Sequence, residues 1–154
     1  MAYWLFKTEP SEFSIDALKK APQHIATWDG VRNYQVRNML RDQIKVGDFV
    51  LFYHSSCDDI GIAGVAEVVK AAFPDPTQFN PESKYYDPKS PSDSPRWLAV
   101  DIKFKEKFPH LIPLATLKTQ SALAEMTLLK RGNRLSITPV SFDEWRVIMR
   151  LAYK

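Results

Sequence analysis

The chain has a single cysteine, Cys57, so no disulfide can form within it. That favours a reducing compartment over a small stapled scaffold. It has no uninterrupted apolar run of membrane-spanning length, and its start, "MAYWLFKTEP", lacks a basic segment followed by a long hydrophobic one. A membrane-embedded or secreted protein is therefore not expected. The reading is cytoplasmic, or nuclear if the source has a nucleus. Glycine-rich phosphate loops are missing, as are the nucleophile-elbow pattern and any H-x-x-x-H or C-x-x-C spacing. The expectation is no cofactor and no metal.

The 154 residues suit one domain spanning 1–154. With 45% hydrophobic and 25% charged residues the composition is that of a globular protein. The net charge of +3 permits a nucleic-acid partner without requiring one.

Hydrophobic patterning gives the elements. Tyr3, Trp4, Leu5 and Phe6 form a short strand that turns polar at Lys7-Thr8-Glu9. Ser14 caps a short helix ending near Pro22. A second helix runs from about Asn33 to Asp42, with Val36, Met39 and Leu40 on one face. "FVLFYHS" (49–55) and "GIAGVAEVVKAAF" (61–73) read as strands. The segment from Pro74 to Pro95 holds six of the eleven prolines, which excludes regular structure; a loop this long is functional or mobile. "RWLAVDIKFKEKF" (96–108) alternates as a strand, short helices follow over about 114–130, and "KRGNRLSITPV" reads as turn plus strand. Ser141 and Glu144 form a capping box for a C-terminal helix. These elements predict an α/β protein of the α+β type: a curved mixed sheet, or partial barrel, with peripheral helices.

Four constellations carry candidate chemistry. "HSSCDD" (54–59) offers Cys57 as nucleophile with His54 as base, but a separation of three after a strand sends the two side chains to opposite faces. Lys7, Thr8 and Glu9 place an amine, a hydroxyl and a carboxylate at a strand end; a surface ion pair is the plainer reading. "GIAG" (61–64) resembles a backbone-clamping RNA loop but lies in an apolar strand, where close packing explains it. Trp4 and Trp145 sit on apolar faces as core. Trp97 is ambiguous. Trp28 opens "WDGVRNYQVRN" (28–38), a run of planar hydrogen-bonding side chains, and is read as standing by a cleft or lidding the core edge. With Lys7, Tyr53, Ser55, Arg131, Asn133, Arg134 and Ser136 at strand ends and turns, the pattern suits recognition of a flat heterocycle by stacking and edge hydrogen bonds.

"WLFKTEP" (4–10), "WDGVRNYQVRN", "VGDFVLFYHS" (46–55), "GIAGVAEV" (61–68), "DPTQFNPESKYYDP" (75–88), "PRWLAVDIKF" (95–104) and "LLKRGNRLSITPV" (128–140) resemble, in order and nearly end to end, the signature blocks of EVE-domain proteins. The resemblance implies a PUA-like pseudo-barrel fold, related to the domains that read methylated adenine in RNA. It also implies a non-catalytic module that binds a modified base, foremost a modified cytosine in DNA, flipped into an aromatic pocket. Carried over onto this chain, Trp28 is a stacking wall with Val31 and Asn33 beside it. Lys7 and Thr8 end the first strand at the pocket, and Tyr53 and Ser55 line it from the next. Arg134, Leu135 and Ser136 close it, with Tyr85 and Tyr86 at its mouth. Arg32, Arg37, Arg41, Lys130 and Arg131 are the phosphate-contact candidates. The expected partner is nucleic acid carrying a modified base, DNA ahead of RNA. The rival reading is a small hydrolase of modified nucleosides using Lys7, Thr8 and Glu9, as in the related ASCH domains.

Overall fold

The computed structural model describes residues 1–154. Six strands form one sheet: β1 (Tyr3–Thr8), β2 (Ile25–Trp28), β3 (Phe49–His54), β4 (Gly61–Pro74), β5 (Leu98–Pro113) and β6 (Ile137–Val140), in the order β2-β5-β4-β3-β1-β6. Only β1 and β3 pair in parallel. Four helices surround the sheet: α1 (Ile15–Lys20), α2 (Tyr34–Asp42), α3 (Leu114–Lys118) and α4 (Phe142–Ala152). No helix is long and apolar enough to cross a membrane.

Alternation along the strands divides the core in two. Trp4, Phe6, Val50 and Phe52 join α1 and α2 on one face, while Leu5, Leu51 and Tyr53 join the short helices and α4 on the other. The register between β4 and β5 shifts four times, and such bulges bend paired strands. The two glycines of "GIAG" are packing residues, as their apolar setting suggests. A Cβ on Gly61 would lie 2.1 Å from the Ile112 carbonyl oxygen, and one on Gly64 would lie 2.3 Å from that of Glu106.

Helix starts follow the capping signals. Ser14 accepts from the Ala17 N–H, Asn33 from the Val36 N–H, and Ser141 and Glu144 form the reciprocal capping box. β2 is the element the sequence pattern missed. "IATW" is four residues long and lacks the alternation of a half-buried strand, yet Ile25–Trp28 pairs with Lys103–Val100. The proline-rich segment carries only one 3-10 turn, Pro76–Phe79, as its composition requires.

The N-terminus of α1 is pinned to β3: the Ile15 N–H donates to His54 Nε2 at 3.1 Å, which requires that nitrogen to be unprotonated. Burial lowers the His54 pKa below its usual 6.5. The unfolded chain therefore takes up the proton first as pH falls. Stability is complete above 6.5 and declines below it until the folded state is protonated too. We expect urea midpoints between pH 7.5 and 5 to fall in the wild type and to fall less in His54→Gln, whose side-chain oxygen can still accept. An equal decline in both proteins rules this contribution out.

Candidate functional site

The parallel strands β1 and β3 lie inside the sheet and end side by side, where the chain leaves both. The Ser55 N–H donates to the Thr8 carbonyl oxygen at 2.9 Å, and the Lys7 N–H to that of Ser136 at 2.8 Å. Residues 7–8, 55 and 136 are thereby drawn together ahead of β6. β2 brings Trp28 to the same place. A cavity of about 710 Å³ opens here. Among the residues expected at a site, Lys7, Thr8, Trp28, Val31, Ser55, Tyr85, Arg134 and Ser136 line it.

Four expected residues lie elsewhere. Tyr53 is buried in the opposite core, because alternation in β3 sends its side chain to the face away from Phe52; burial pushes its hydroxyl up to about 12. Asn33 is spent as the N-cap of α2. Leu135 packs against the first core, its N–H held by Asn133 Oδ1 at 3.0 Å. Tyr86 is exposed and outside the lining. Conversely, Glu12, Phe13, Thr27, Asp29, Gly30 and Lys84 line the cavity without having been singled out. Asp-Gly is a turn-forming pair, and a turn at Asp29-Gly30 beside a candidate stacking residue is the signal that could have found them.

Trp28 is both wall and core. It is 9% exposed, with its ring 5.0 Å from Phe6 and 5.8 Å edge-on to Phe52, yet it faces the cavity. Lys7 makes no ion pair with Glu9, contrary to the surface-pair reading, and burial lowers its pKa. The mouth is spanned by an ion pair between Lys84 and Glu12, from the proline-rich loop to the segment before α1.

That loop is fastened, not loose. The Asp75 side chain is fully buried; it accepts from the Gly30 N–H at 2.8 Å, from Arg32 Nη1 at 3.0 Å and from the Thr77 N–H at 2.8 Å. Arg32 also donates to the Val31 and Tyr85 carbonyl oxygens and to Thr77, so all five of its N–H groups are engaged. Its guanidinium lies over both the Tyr85 and the Trp97 rings, at 5.5 and 5.3 Å from their centroids. Arg32 therefore has no free donor for a phosphate, the role the sequence suggested. Arg37 bonds to Asn38 and to the Arg96 carbonyl, and Arg41 pairs with Asp42. Lys130, Arg131 and Arg134 are exposed. Gly30 has φ +80°, and a Cβ there would meet the Tyr85 ring at 2.7 Å, so only glycine allows that ring to close over the turn.

His54 and Cys57 also differ from expectation. Both line a second cavity of about 520 Å³. Ser56, at φ 53°, breaks the strand geometry that would have separated them. They are not joined by a hydrogen bond: His54 accepts from Ile15, and the Cys57 thiol donates to the Asp59 carbonyl.

Asp75→Asn removes the charge that balances Arg32 and should cost about 3 kcal/mol of stability, the lower end for a broken buried pair because Arg32 is partly solvated. Arg32→Lys should be destabilising as well, since an ammonium cannot reproduce the planar fork. Urea unfolding measures both. Limited proteolysis should show new cleavage within 75–97, and an uncut loop in a destabilised variant would disconnect the pair from the loop.

Residues 2–151 match the family model described as the EVE domain. Human thymocyte nuclear protein 1 is 42% identical over 170 residues, covering 99% of this chain and 75% of that protein. A Pseudomonas putida protein of known crystal structure superposes with a TM-score of 0.93 at 50% identity, over 98% of this chain and 99% of that one. The human THYN1 protein, crystallised in complex with 5-methylcytosine-containing DNA, superposes with a TM-score of 0.93 at 42% identity, over 100% and 99% of the two chains.

Proposed function

The chain belongs to the EVE domain family, and from that premise we propose that it is a non-catalytic module binding a modified base, foremost a modified cytosine in DNA, flipped into the Trp28 cavity. Its mixed six-stranded sheet with four helices is the PUA-like α+β fold of that family.

The observation that carries the proposal is the coincidence of two facts. One is a cavity large enough for a nucleoside, walled by Trp28, Phe13 and Tyr85 and edged by polar groups. The other is a chain-long 42% identity to a protein crystallised with 5-methylcytosine-containing DNA. Extruding a base costs a few kcal/mol. A base stacked on one aromatic ring recovers about 1–3 kcal/mol. Hydrogen bonds from Lys7, Thr8, Ser55 and Ser136 are available for the remainder. The phosphate backbone is then left to Arg134 at the rim and to Lys130 and Arg131 on the same exposed loop.

A hydrolytic reading has one observation in its favour: Lys7, with a lowered pKa, shares the cavity with Thr8 and Glu9. Turnover of an acylated cytidine that disappears in Lys7→Ala would establish it.

The test is a calorimetric titration at fixed salt. The ligands are matched short DNAs carrying cytosine, 5-methylcytosine or 5-hydroxymethylcytosine, with methylated-adenine RNA alongside. One modified cytosine should bind more tightly than the rest. Equal, salt-sensitive binding to all four would overturn the proposal. Arg134→Ala should weaken every DNA by a similar factor and reduce the salt slope by roughly one. Trp28→Ala is a poor probe, because removing a buried tryptophan costs about 3–5 kcal/mol of stability on its own.

A further inference from the structure

We propose, building on the base-binding reading, that Asp29 is the residue that selects cytosine over thymine, its carboxylate accepting a hydrogen bond from the exocyclic amine of the flipped base. Asp29 lies between two fixed points. On one side is Trp28, held in the core by Phe6 and Phe52. On the other is Gly30, whose N–H is bound to the buried Asp75 carboxylate at 2.8 Å. The backbone that carries Asp29 past the cavity is therefore set before any ligand arrives, and the side chain has only two torsions to adjust.

No other residue of the protein donates to the carboxylate. Arg32, the nearest cation in the turn, gives all its donors to Asp75, Thr77 and backbone carbonyls. Asp29 is engaged only by its own backbone N–H. Burial raises its pKa, and the neighbouring Asp75 charge raises it further. Asp29 is exposed to solvent at the cavity, so its acceptor positions are open to a ligand that brings an N–H to them.

The other side chains on the cavity supply the opposite polarity. Lys7 carries donors only, and Thr8, Ser55 and Ser136 can donate or accept. Cytosine presents an amine beside two acceptor positions, so its donor meets Asp29 while its acceptors meet Lys7 and the hydroxyls. Thymine presents a carbonyl oxygen where cytosine has the amine, and that oxygen would face the carboxylate in an unfavourable contact. Thymine also carries the same 5-methyl group as 5-methylcytosine. The two bases therefore share the apolar feature of a methyl reader and differ in the edge Asp29 faces.

The experiment uses fluorescence anisotropy with one duplex carrying 5-methylcytosine, cytosine or thymine opposite an abasic site. That context makes the cost of extrusion similar for the three bases. Wild type should bind 5-methylcytosine about tenfold or more tightly than thymine. In Asp29→Asn, whose amide can donate to the thymine oxygen, the ratio should collapse to near unity or reverse. Thermal unfolding should show no loss, since the substitution removes a charge that Asp75 repels. Asp29→Glu, which keeps the charge but displaces it by a methylene, serves as the second variant and should also lose most of the ratio. Retention of the full ratio in both variants overturns the assignment. A wild type that prefers 5-methylcytosine over cytosine but binds thymine equally overturns it too, while leaving the base-binding reading intact. Equal binding of all three duplexes removes both.

Discussion

The buried Asp75 carboxylate is the contact on which the cavity depends. A fully buried charge is tolerated only when it is paired and its lone pairs are filled. Asp75 achieves this with partners from two distant stretches of chain: the Gly30 N–H and Arg32 from the turn after β2, and Thr77 from its own loop. Arg32 extends the connection by gripping the Tyr85 carbonyl with two nitrogens. The loop after β4 is thereby bolted to the turn after β2, and those two segments form one side of the cavity. A second set of buried polar groups continues the fastening. Gln78 donates to the Asp75 and Trp97 carbonyls and accepts from Ser90 and from the Trp97 N–H. Asp87 accepts from Trp97 Nε1 at 2.8 Å, which holds its carboxyl below the usual range.

This organisation explains how a long proline-rich segment can line a cavity in one fixed conformation, with no ordering left for a ligand to impose. Prolines limit the unfolded conformations, and the buried hydrogen bonds select one of them in the folded state. It also ties recognition to stability. Trp28 is shared between wall and core, Gly30 between the close approach of Tyr85 and the hydrogen bond to Asp75, and Arg32 between the ion pair and two cation-π contacts. Substitutions at such positions disturb folding and ligand contacts together. Residues such as Asp29 and Arg134, which face the cavity without supporting it, are where function can be separated from fold.

Much of this was legible from the residues, and what was not has physical causes. Long alternating or apolar stretches such as Phe49–His54 and Leu98–Phe108 announced their strands, and Ser14, Asn33 and Ser141 announced their helix starts. β2 was illegible because a four-residue edge strand owes its existence to pairing with β5, not to its own pattern. Tyr53 was placed at the cavity although the alternation of β3 already assigned it to the other face beside Leu51. Arg32 looked like a free cation, since nothing local reveals that its partner lies 43 residues away. Mobility was one of two readings of the 74–95 segment, because composition shows where regular structure stops but not which buried groups tie a loop down.

The cavity's electrostatics separate two kinds of recognition. Lys7, Lys84 and Arg134 are opposed by Glu9, Glu12 and Asp29, so the lining carries equal numbers of positive and negative side chains. A cavity designed simply to attract phosphate would not hold three carboxylates. Balanced charge of this kind contributes little to long-range attraction, but it makes the interior sensitive to the pattern of donors and acceptors on whatever enters. The chain's modest surplus of +3 lies outside that balance and acts through exposed residues such as Lys130 and Arg131. Salt then weakens the encounter with a polyanion while leaving discrimination inside the cavity largely unscreened. On the proposed function, affinity for a nucleic-acid backbone and selectivity for a base are properties of different residues.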